Sequence, residues 1–200
     1  MKNEKTQNLV LCAVMVALAT VLSILKIYEA PLGGSVTLFS MVPIFIVGFL
    51  RGPKWGLASA FVYSVLQLIL GLKSVSYVPS VSGIILCVLF DYIIAFLCLG
   101  VTGFFKIDKD TPNKTKYIKV IFGVLLACVL RYICHVLSGA VVWYEITKEG
   151  GWNDLVNKVG MWAYSLIYNA QFMVPETIMC VVATPVIIYV LNIFGKKKSA

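Results

Sequence analysis

Long apolar runs separated by short polar segments fill most of the 200-residue chain. Because a helix crosses a bilayer with about 20 apolar residues, we interpret the runs as membrane spans. The second run is short enough to tilt or break, and the last contains Pro175 and Pro185 as candidate kinks. The pattern predicts an all-α integral membrane protein with one six-helix transmembrane domain over residues 1–200. The predicted spans are Leu9–Tyr28, Val36–Leu50, Trp55–Leu72, Val81–Phe105, Tyr117–Trp143 and Trp162–Phe194.

Composition supports a membrane location and argues against a soluble protein. Hydrophobic residues make up 60% of the chain and charged residues 13%, against about 45–50% and about 25% in soluble domains. The net charge of +8 does not indicate nucleic acid, because the basic residues lie in short loops and tails, where they act as topology signals. We therefore expect no nucleic-acid partner and a multi-pass protein of the bacterial cell membrane.

The distribution of basic residues predicts the orientation of the helices. With the N-terminus in the cytoplasm, twelve of the 17 Lys and Arg residues fall on the cytoplasmic side, four fall outside, and Arg131 lies within a span. This bias follows the positive-inside rule and predicts that both termini are cytoplasmic. The cytoplasmic set is Lys2, Lys5, Arg51, Lys54, Lys106, Lys109, Lys114, Lys116, Lys119, Lys196, Lys197 and Lys198.

Five polar residues lie well inside the predicted spans. Asp91, Arg131 and Glu176 are ionisable, and His135 and Asn169 add two further polar groups. Charges inside a membrane usually face a cavity or a partner, so we expect these residues to converge. Counting from the predicted helix ends at about 1.5 Å per residue places Asp91, His135 and Asn169 in the outer half of the membrane. Arg131 and Glu176 lie deeper and are expected to pair; an Asp91–Arg131 ion pair is the alternative.

Two of the spans carry a face that suits a ligand pocket. On span five, Arg131, His135, Ser138 or Gly139, and Val142 or Trp143 recur at three- and four-residue steps, which places them on one stripe. Aromatic walls with a few polar groups are typical of small-molecule sites. The alternative is an interfacial aromatic belt formed by the tryptophans. Span six contributes Trp162, Tyr164, Ser165, Tyr168 and Asn169.

Catalytic and metal motifs are missing from the sequence. It has one histidine, no HExxH or GxSxG, and no Gly-rich phosphate loop followed by Lys-Ser/Thr. We expect no enzymatic activity, no metal and no cofactor. A stand-alone secondary carrier, a membrane enzyme and a scaffold with a structural polar core remain alternatives. The longest outside loop, Tyr144–Met161, is a candidate lid.

Several segments resemble the thiamine-specific S components of energy-coupling factor transporters. The resemblance extends over nearly the whole chain, and the span-five and span-six motifs are its most specific part. A small-residue pair on the first span, Ala13 and Ala17, is shared by S components generally. The segments are Arg131–Trp143, Ala163–Asn169, Pro175–Glu176, Gly33–Leu38, Val42–Ile44 and Leu50–Gly56.

The resemblance implies a binding subunit that captures thiamine with high affinity outside the cell. It would work with a transmembrane coupling subunit and two cytoplasmic ATPase subunits, which use the ATP. The Ala13–Ala17 pair would dock on the coupling subunit. By the same resemblance, the thiamine contacts are Asp91, Tyr92, His135, Trp143, Tyr164, Asn169 and the loop residue Tyr77. The depth of Arg131 and Glu176 in their spans separately predicts that these two form a supporting polar network.

Two positions depart from the family pattern. Members often carry another carboxylate after the GGS-type loop, where this chain has Leu38, Phe39 and Ser40. Asp91 is also one methylene shorter than the glutamate usual at its position. A related vitamin or a pyrimidine precursor of thiamine is therefore the alternative ligand.

Overall fold

Helices account for most of the chain in the computed structural model, which describes residues 2–30 and 33–195. Two of the helices contain non-α turns: α5 has a π-helical segment at Val88–Ile93 and a 3-10 end at Cys98–Phe105, and α6 has a π-helical segment at Gly139–Trp143. The elements are α1 (Lys2–Ile24), β1 (Lys26–Glu29), β2 (Ser35–Thr37), α2 (Val42–Arg51), α3 (Pro53–Leu70), α4 (Leu72–Val75), α5 (Val81–Phe105), α6 (Asn113–Gly150), α7 (Leu155–Lys158), α8 (Met161–Val182) and α9 (Thr184–Phe194).

Among the described residues, α1, α5 and α6 are each long and apolar enough to cross a membrane. Helices α8 and α9 form a fourth candidate span, bent by 47°. The bend falls between Ala183 and Thr184, just before Pro185, whereas Pro175 lies inside α8 without breaking it. The several apolar helices of the prediction are thus confirmed, and six spans stays a prediction.

A short hairpin replaces two of the predicted helical ends. The first span was expected to reach Tyr28 and the second to begin at Val36, but these two residues pair across antiparallel strands β1 and β2. Helix α1 already ends at Ile24, and α2 begins only at Val42. Positive φ angles of 103° at Gly33 and 86° at Gly34 allow the reversal, because only glycine adopts such angles without strain.

Helix α2 lies at the centre of the fold, and all nine residues Val42–Leu50 are buried. It has only ten residues, and α1, α3, α5 and α9 all pack against it. Small residues permit close packing around it. A Cβ on Gly100 of α5 would lie 2.8 Å from backbone atoms of Gly56 on α3, so side chains there would force these helices apart.

Helix α6 extends further than predicted, into the segment expected to be a loop and a candidate lid, and the lid role stays a prediction. The span was expected to end at Trp143, but the helix continues to Gly150, where Gly151 adopts φ 63°. The seven added residues extend the helix by roughly 10 Å at 1.5 Å per residue. Within the added turns, Thr147 Oγ1 donates to the Trp143 carbonyl oxygen at 2.7 Å. The first half of the expected loop is therefore helix.

Large apolar side chains cover the outer surface of the bundle. On α1 alone, Leu9, Val10, Val14, Leu18 and Val21 are each about half exposed. A water-soluble protein rarely exposes apolar patches of this size, whereas lipid solvates them. The orientation of the bundle stays a prediction, and Lys196–Lys198, which contribute to it, lie outside the described residues.

Candidate ligand-binding site

A cavity of about 670 Å³ lies between the hairpin, α3, α5, α6 and α8. Its volume is within the range of about 300–1,000 Å³ usual for ligand pockets. The structure brings together six of the seven predicted ligand contacts and one of the two supporting residues. These lining residues are Asp91, Tyr92, His135, Trp143, Tyr164, Asn169 and Arg131.

The Asp91 carboxylate is bonded by three side chains, all of them from α6. Its Oδ1 lies 3.0 Å from His135 Nδ1, and its Oδ2 accepts from Ser138 Oγ at 2.5 Å and from Trp143 Nε1 at 2.8 Å. An ionised carboxylate has about four lone-pair sites, so three protein donors leave one for a ligand. The side chain is 16% exposed, which leaves it open to the cavity.

Both π-helical segments contribute residues to this carboxylate cluster. Asp91 lies in the π-helical turn of α5 and Trp143 in that of α6. A step of four residues overshoots a full turn of α-helix by roughly 40°, so a stripe at four-residue steps drifts around the helix. The wider π turn corrects that drift and returns Trp143 to the face of His135. Such turns frequently occur at functional sites.

Arg131 makes neither of the ion pairs expected from the sequence. No carboxylate of the described residues lies within 4 Å of it. Instead Nε donates to His135 Nε2 at 3.2 Å, Nη1 contacts Met41 Sδ at 2.8 Å, and the guanidinium stacks 4.2 Å from the Phe96 ring centroid. The predicted Glu176–Arg131 pair and the alternative Asp91–Arg131 pair are both wrong.

Glu176 binds the hairpin instead of the arginine. Its carboxylate accepts from the Thr37 backbone N–H at 2.7 Å and from Thr37 Oγ1 at 2.6 Å, and that hydroxyl also contacts Ser40 Oγ. Glu176 is 2% exposed and does not line the cavity. Depth along a helix does not predict direction, so Glu176 could match the depth of Arg131 and still face β2.

Asn169 presents a fixed acceptor to the cavity. Its Nδ2 donates to the His135 carbonyl at 3.2 Å, and to the carbonyl and Oγ of Ser165 at 2.9 and 3.2 Å. These acceptors set the amide orientation, because the opposite rotamer would place Oδ1 against oxygen atoms. No donor among the described residues bonds to Oδ1, which is therefore available to an N–H of a ligand.

An aromatic wall runs along α8 beside these polar groups. Tyr164 and Tyr168 stack at 5.7 Å, and Phe172 meets Tyr168 edge-on at 6.4 Å and His135 at 5.6 Å. Ser138 and Tyr168 lay on the pocket faces predicted from the sequence but not among the contacts implied by the resemblance, and Phe172 was in neither set. Their spacing was a usable signal, because residues four apart share a helix face. The hairpin residues of the lining, among them Lys26 and Glu29, had no such signal.

Tyr77 differs from the expectation, since it lies outside the cavity lining. Its ring meets Trp152 edge-on, with centroids 5.7 Å apart. Trp152 and Trp162 are both nearly half exposed, as an interfacial belt requires, whereas Trp143 bonds within the site. Ala13 and Ala17 are exposed on one side of α1. Small residues four apart allow another helix to approach closely.

The fold and the cavity together define a membrane-embedded binding protein for a small organic molecule. The polar groups offer acceptors at Asp91 and Asn169, the walls are aromatic, and the described residues include no group of three metal-ligating side chains. Such a site suits a ligand that carries N–H donors or a positive charge on a flat ring.

Comparison with known proteins identifies the family. The family described as thiamine transporter protein matches residues 9–195. The thiamine transporter ThiT of Bacillus subtilis (strain 168) is 32% identical over 188 residues, which cover 90% of each chain. A solved structure of ThiT from Listeria monocytogenes superimposes with a TM-score of 0.66 at 21% identity, over 94% of each chain, and shares the fold. The chain belongs to the thiamine transporter family.

Family membership confirms the predicted class. The protein is a multi-pass membrane transport protein and not an enzyme, because the family is one of transporters. The two most specific motifs of the resemblance lie on helices in the structure: Arg131–Trp143 on α6 and Ala163–Asn169 on α8.

Proposed function

We propose that this protein binds thiamine in the cavity and serves as the substrate-capture subunit of an energy-coupling factor transporter. The observation that carries the proposal is the presence of a free acceptor, Asn169 Oδ1, and an acidic side chain, Asp91, in one aromatic-walled cavity. Thiamine carries both complementary groups, an amino group on its pyrimidine ring and a permanent positive charge on its thiazolium ring.

The cationic ring fits the aromatic side of the cavity. Trp143, Tyr164 and Tyr168 all line it, and the faces of such rings attract cations. Asp91 adds Coulomb attraction. Arg131 also lines the cavity, but its Nε is directed at His135 and it makes no ion pair with Asp91, so the carboxylate remains available to the ligand.

The amino group of the pyrimidine fits Asn169. Its N–H donates to Oδ1, an acceptor that the protein leaves without a donor in the described part of the chain. A ligand with an acceptor at that position would leave two oxygen atoms facing each other, and a buried acceptor without a donor costs about 1–3 kcal/mol. Asn169 therefore distinguishes amino-pyrimidines from their oxo analogues.

Transport would require partner subunits. The chain has no phosphate-binding loop, so the energy for transport would come from other subunits. From the resemblance to S components, we expect these to be a transmembrane coupling subunit and two cytoplasmic ATPases. The exposed Ala13 and Ala17 on α1 support a docking surface there. We further propose one domain of six spans over residues 1–200, with both termini cytoplasmic and the cavity opening outward.

Equilibrium binding to the purified full chain in detergent tests the proposal. Isothermal titration with thiamine is expected to give a dissociation constant well below about 1 μM, equivalent to more than about 8 kcal/mol. Absence of binding at micromolar thiamine would overturn the ligand assignment, and tighter binding of the pyrimidine precursor alone would replace it. Uptake into vesicles that hold this chain without ATPase partners would contradict the subunit role.

A further inference from the structure

His135 is the only histidine of the chain, and both of its ring nitrogens have partners. Its Nε2 lies 3.2 Å from Arg131 Nε, and its Nδ1 lies 3.0 Å from Asp91 Oδ1. The Arg131 Nε–H is a donor at every accessible pH, because a guanidinium does not lose its proton in proteins. His135 Nε2 must therefore accept, and the ring hydrogen must lie on Nδ1, from where it is donated to Asp91.

We propose that Arg131 is a positioning residue that holds His135 as the neutral Nδ1–H tautomer, so that the imidazole orients Asp91 without placing a second positive charge beside a cationic ligand. The inference deepens the proposed function and rests on it only for the charge of the ligand. Ser138, which donates to the other carboxylate oxygen at 2.5 Å, is a second positioning residue.

The geometry excludes an imidazolium at this position. A protonated ring would carry a hydrogen on Nε2 and direct it at the Arg131 Nε–H, so that two donors would face each other across 3.2 Å. Two adjacent cations in a protein interior also repel strongly. The same arginine that bonds His135 therefore leaves no room for a hydrogen on His135 Nε2.

The surroundings of Arg131 leave it free for this role. Met41 Sδ and the Phe96 ring hold the guanidinium from α2's N-terminal side and from α5. A carboxylate would draw the guanidinium away from the imidazole, but within the described residues none lies within 4 Å. The lack of an ion pair at Arg131 among the described residues, unexpected from the sequence, thus leaves the guanidinium available to His135.

Each element packed around His135 contributes an identifiable group. Asp91 faces it from α5, Arg131 from its own helix, and the Phe172 ring from α8 at 5.6 Å. Glu176, also on α8, is bonded to Thr37. The remaining charged groups of the lining are Lys26, Glu29 and Lys73, on the hairpin and α4; of these, Lys26 and Glu29 pair with each other at 2.6 Å.

A direct readout is nitrogen NMR of ligand-free wild-type protein labelled with ¹⁵N-histidine, since only one residue gives signals. We expect Nδ1 to bear the hydrogen and Nε2 to be unprotonated. This state should not change from about pH 8 to about pH 5.5, the range in which an ordinary histidine titrates. An Nε2–H tautomer, or an imidazolium signal within this range, would overturn the proposal. The result does not depend on thiamine binding.

A second experiment compares Arg131→Met with Arg131→Lys. The methionine removes the donor, so His135 gains a proton as the pH falls and repels the thiazolium. The quantity to follow is the Kd for thiamine of Arg131→Met divided by that of wild type at the same pH. We expect this ratio to rise about tenfold or more as the pH falls from about 8 to about 5.5, a change of about 1.4 kcal/mol. The ratio to wild type cancels the titration of thiamine itself.

The lysine variant separates positioning from packing. Its ammonium keeps a donor and a charge beside His135, so its affinity relative to wild type is expected to stay constant over the same pH range. A purely structural role for Arg131 would lower the affinity of the methionine variant equally at every pH, and that outcome contradicts the proposal. If Arg131→Met fails to fold, the NMR measurement on wild type decides.

Discussion

The indole Nε1–H of Trp143 donates a hydrogen bond to Asp91 Oδ2 at 2.8 Å, and each of the two residues lies in a π-helical turn. Ser138, five residues before Trp143, donates to the same oxygen at 2.5 Å. Five residues is the hydrogen-bond step of a π-helix. The irregular turn of α6 thus aligns two donors on one carboxylate, and regular α-helix would have separated them.

Replacing Trp143 tests whether its ring or its N–H matters more to the ligand. We expect Trp143→Ala to weaken thiamine binding about tenfold or more, about 1.4 kcal/mol, because it removes both. Trp143→Phe keeps an aromatic face and loses only the bond to Asp91, so its loss should be smaller. Calorimetry suits both variants, since fluorescence would lose a reporter. Trp162→Ala, on a half-exposed residue outside the lining, is the control.

Removing the charge of Asp91 tests the electrostatic part of the site. Asp91→Asn keeps the size of the side chain, but its amide cannot accept all three bonds from His135, Ser138 and Trp143. We expect a loss of thiamine affinity of about tenfold or more by calorimetry, about 1.4 kcal/mol. Asp108→Asn, which removes an acid paired with Lys106 outside the cavity lining, should bind as wild type does. Near-wild-type affinity of Asp91→Asn would show that the Asp91 carboxylate does not contribute to thiamine binding.

The acceptor of Asn169 predicts discrimination between ligands. Oxythiamine carries an oxo group where thiamine has its amino group, so we expect wild-type protein to bind it about tenfold or more weakly than thiamine, in line with the cost of an unpaired buried acceptor. In Asn169→Ala the preference should largely disappear, because the discriminating oxygen is gone. Competition against labelled thiamine measures both. An equal preference in the variant and in wild type would assign the discrimination to another group.

The sequence was sufficient for the first part of the span-five stripe, because helical periodicity alone places Arg131 and His135 on one side, whereas the position of Trp143 also depends on the π-helical turn. It was not sufficient for pairing. Arg131 and Glu176 lie at similar depth, but their bonds go to His135 and Thr37, and the strand that carries Thr37 has no periodicity long enough to recognise. The π-helical turns were equally unreadable, because they depend on how α5 and α6 meet at Asp91 and not on local composition.

The bond between Glu176 and Thr37 predicts a stability effect. Thr37→Val keeps the shape of the side chain and leaves Glu176 Oε1 buried without its hydroxyl donor, which should lower the free energy of unfolding by about 1–3 kcal/mol. Thermal unfolding in detergent, followed by circular dichroism, measures the change as a lower Tm. The matched control is Thr177→Val, whose hydroxyl donates to the Met173 carbonyl of its own helix at 2.7 Å. An unchanged Tm in Thr37→Val would mean that the hairpin is held by other contacts.

Docking through α1 predicts a variant that binds but does not transport. Ala13 and Ala17 are exposed and lie four residues apart, so a tryptophan at either position would keep a partner helix at a distance without touching the cavity. We expect Ala17→Trp to bind thiamine like wild type and to lose most thiamine uptake in vesicles reconstituted with a coupling subunit and two ATPases. Val129→Trp, on an exposed position of α6, controls for a bulky residue facing lipid. Normal uptake by Ala17→Trp would place the coupling surface elsewhere. An equal loss of uptake in Val129→Trp would indicate a general defect, because a specific coupling surface on α1 would make only the α1 variant lose uptake.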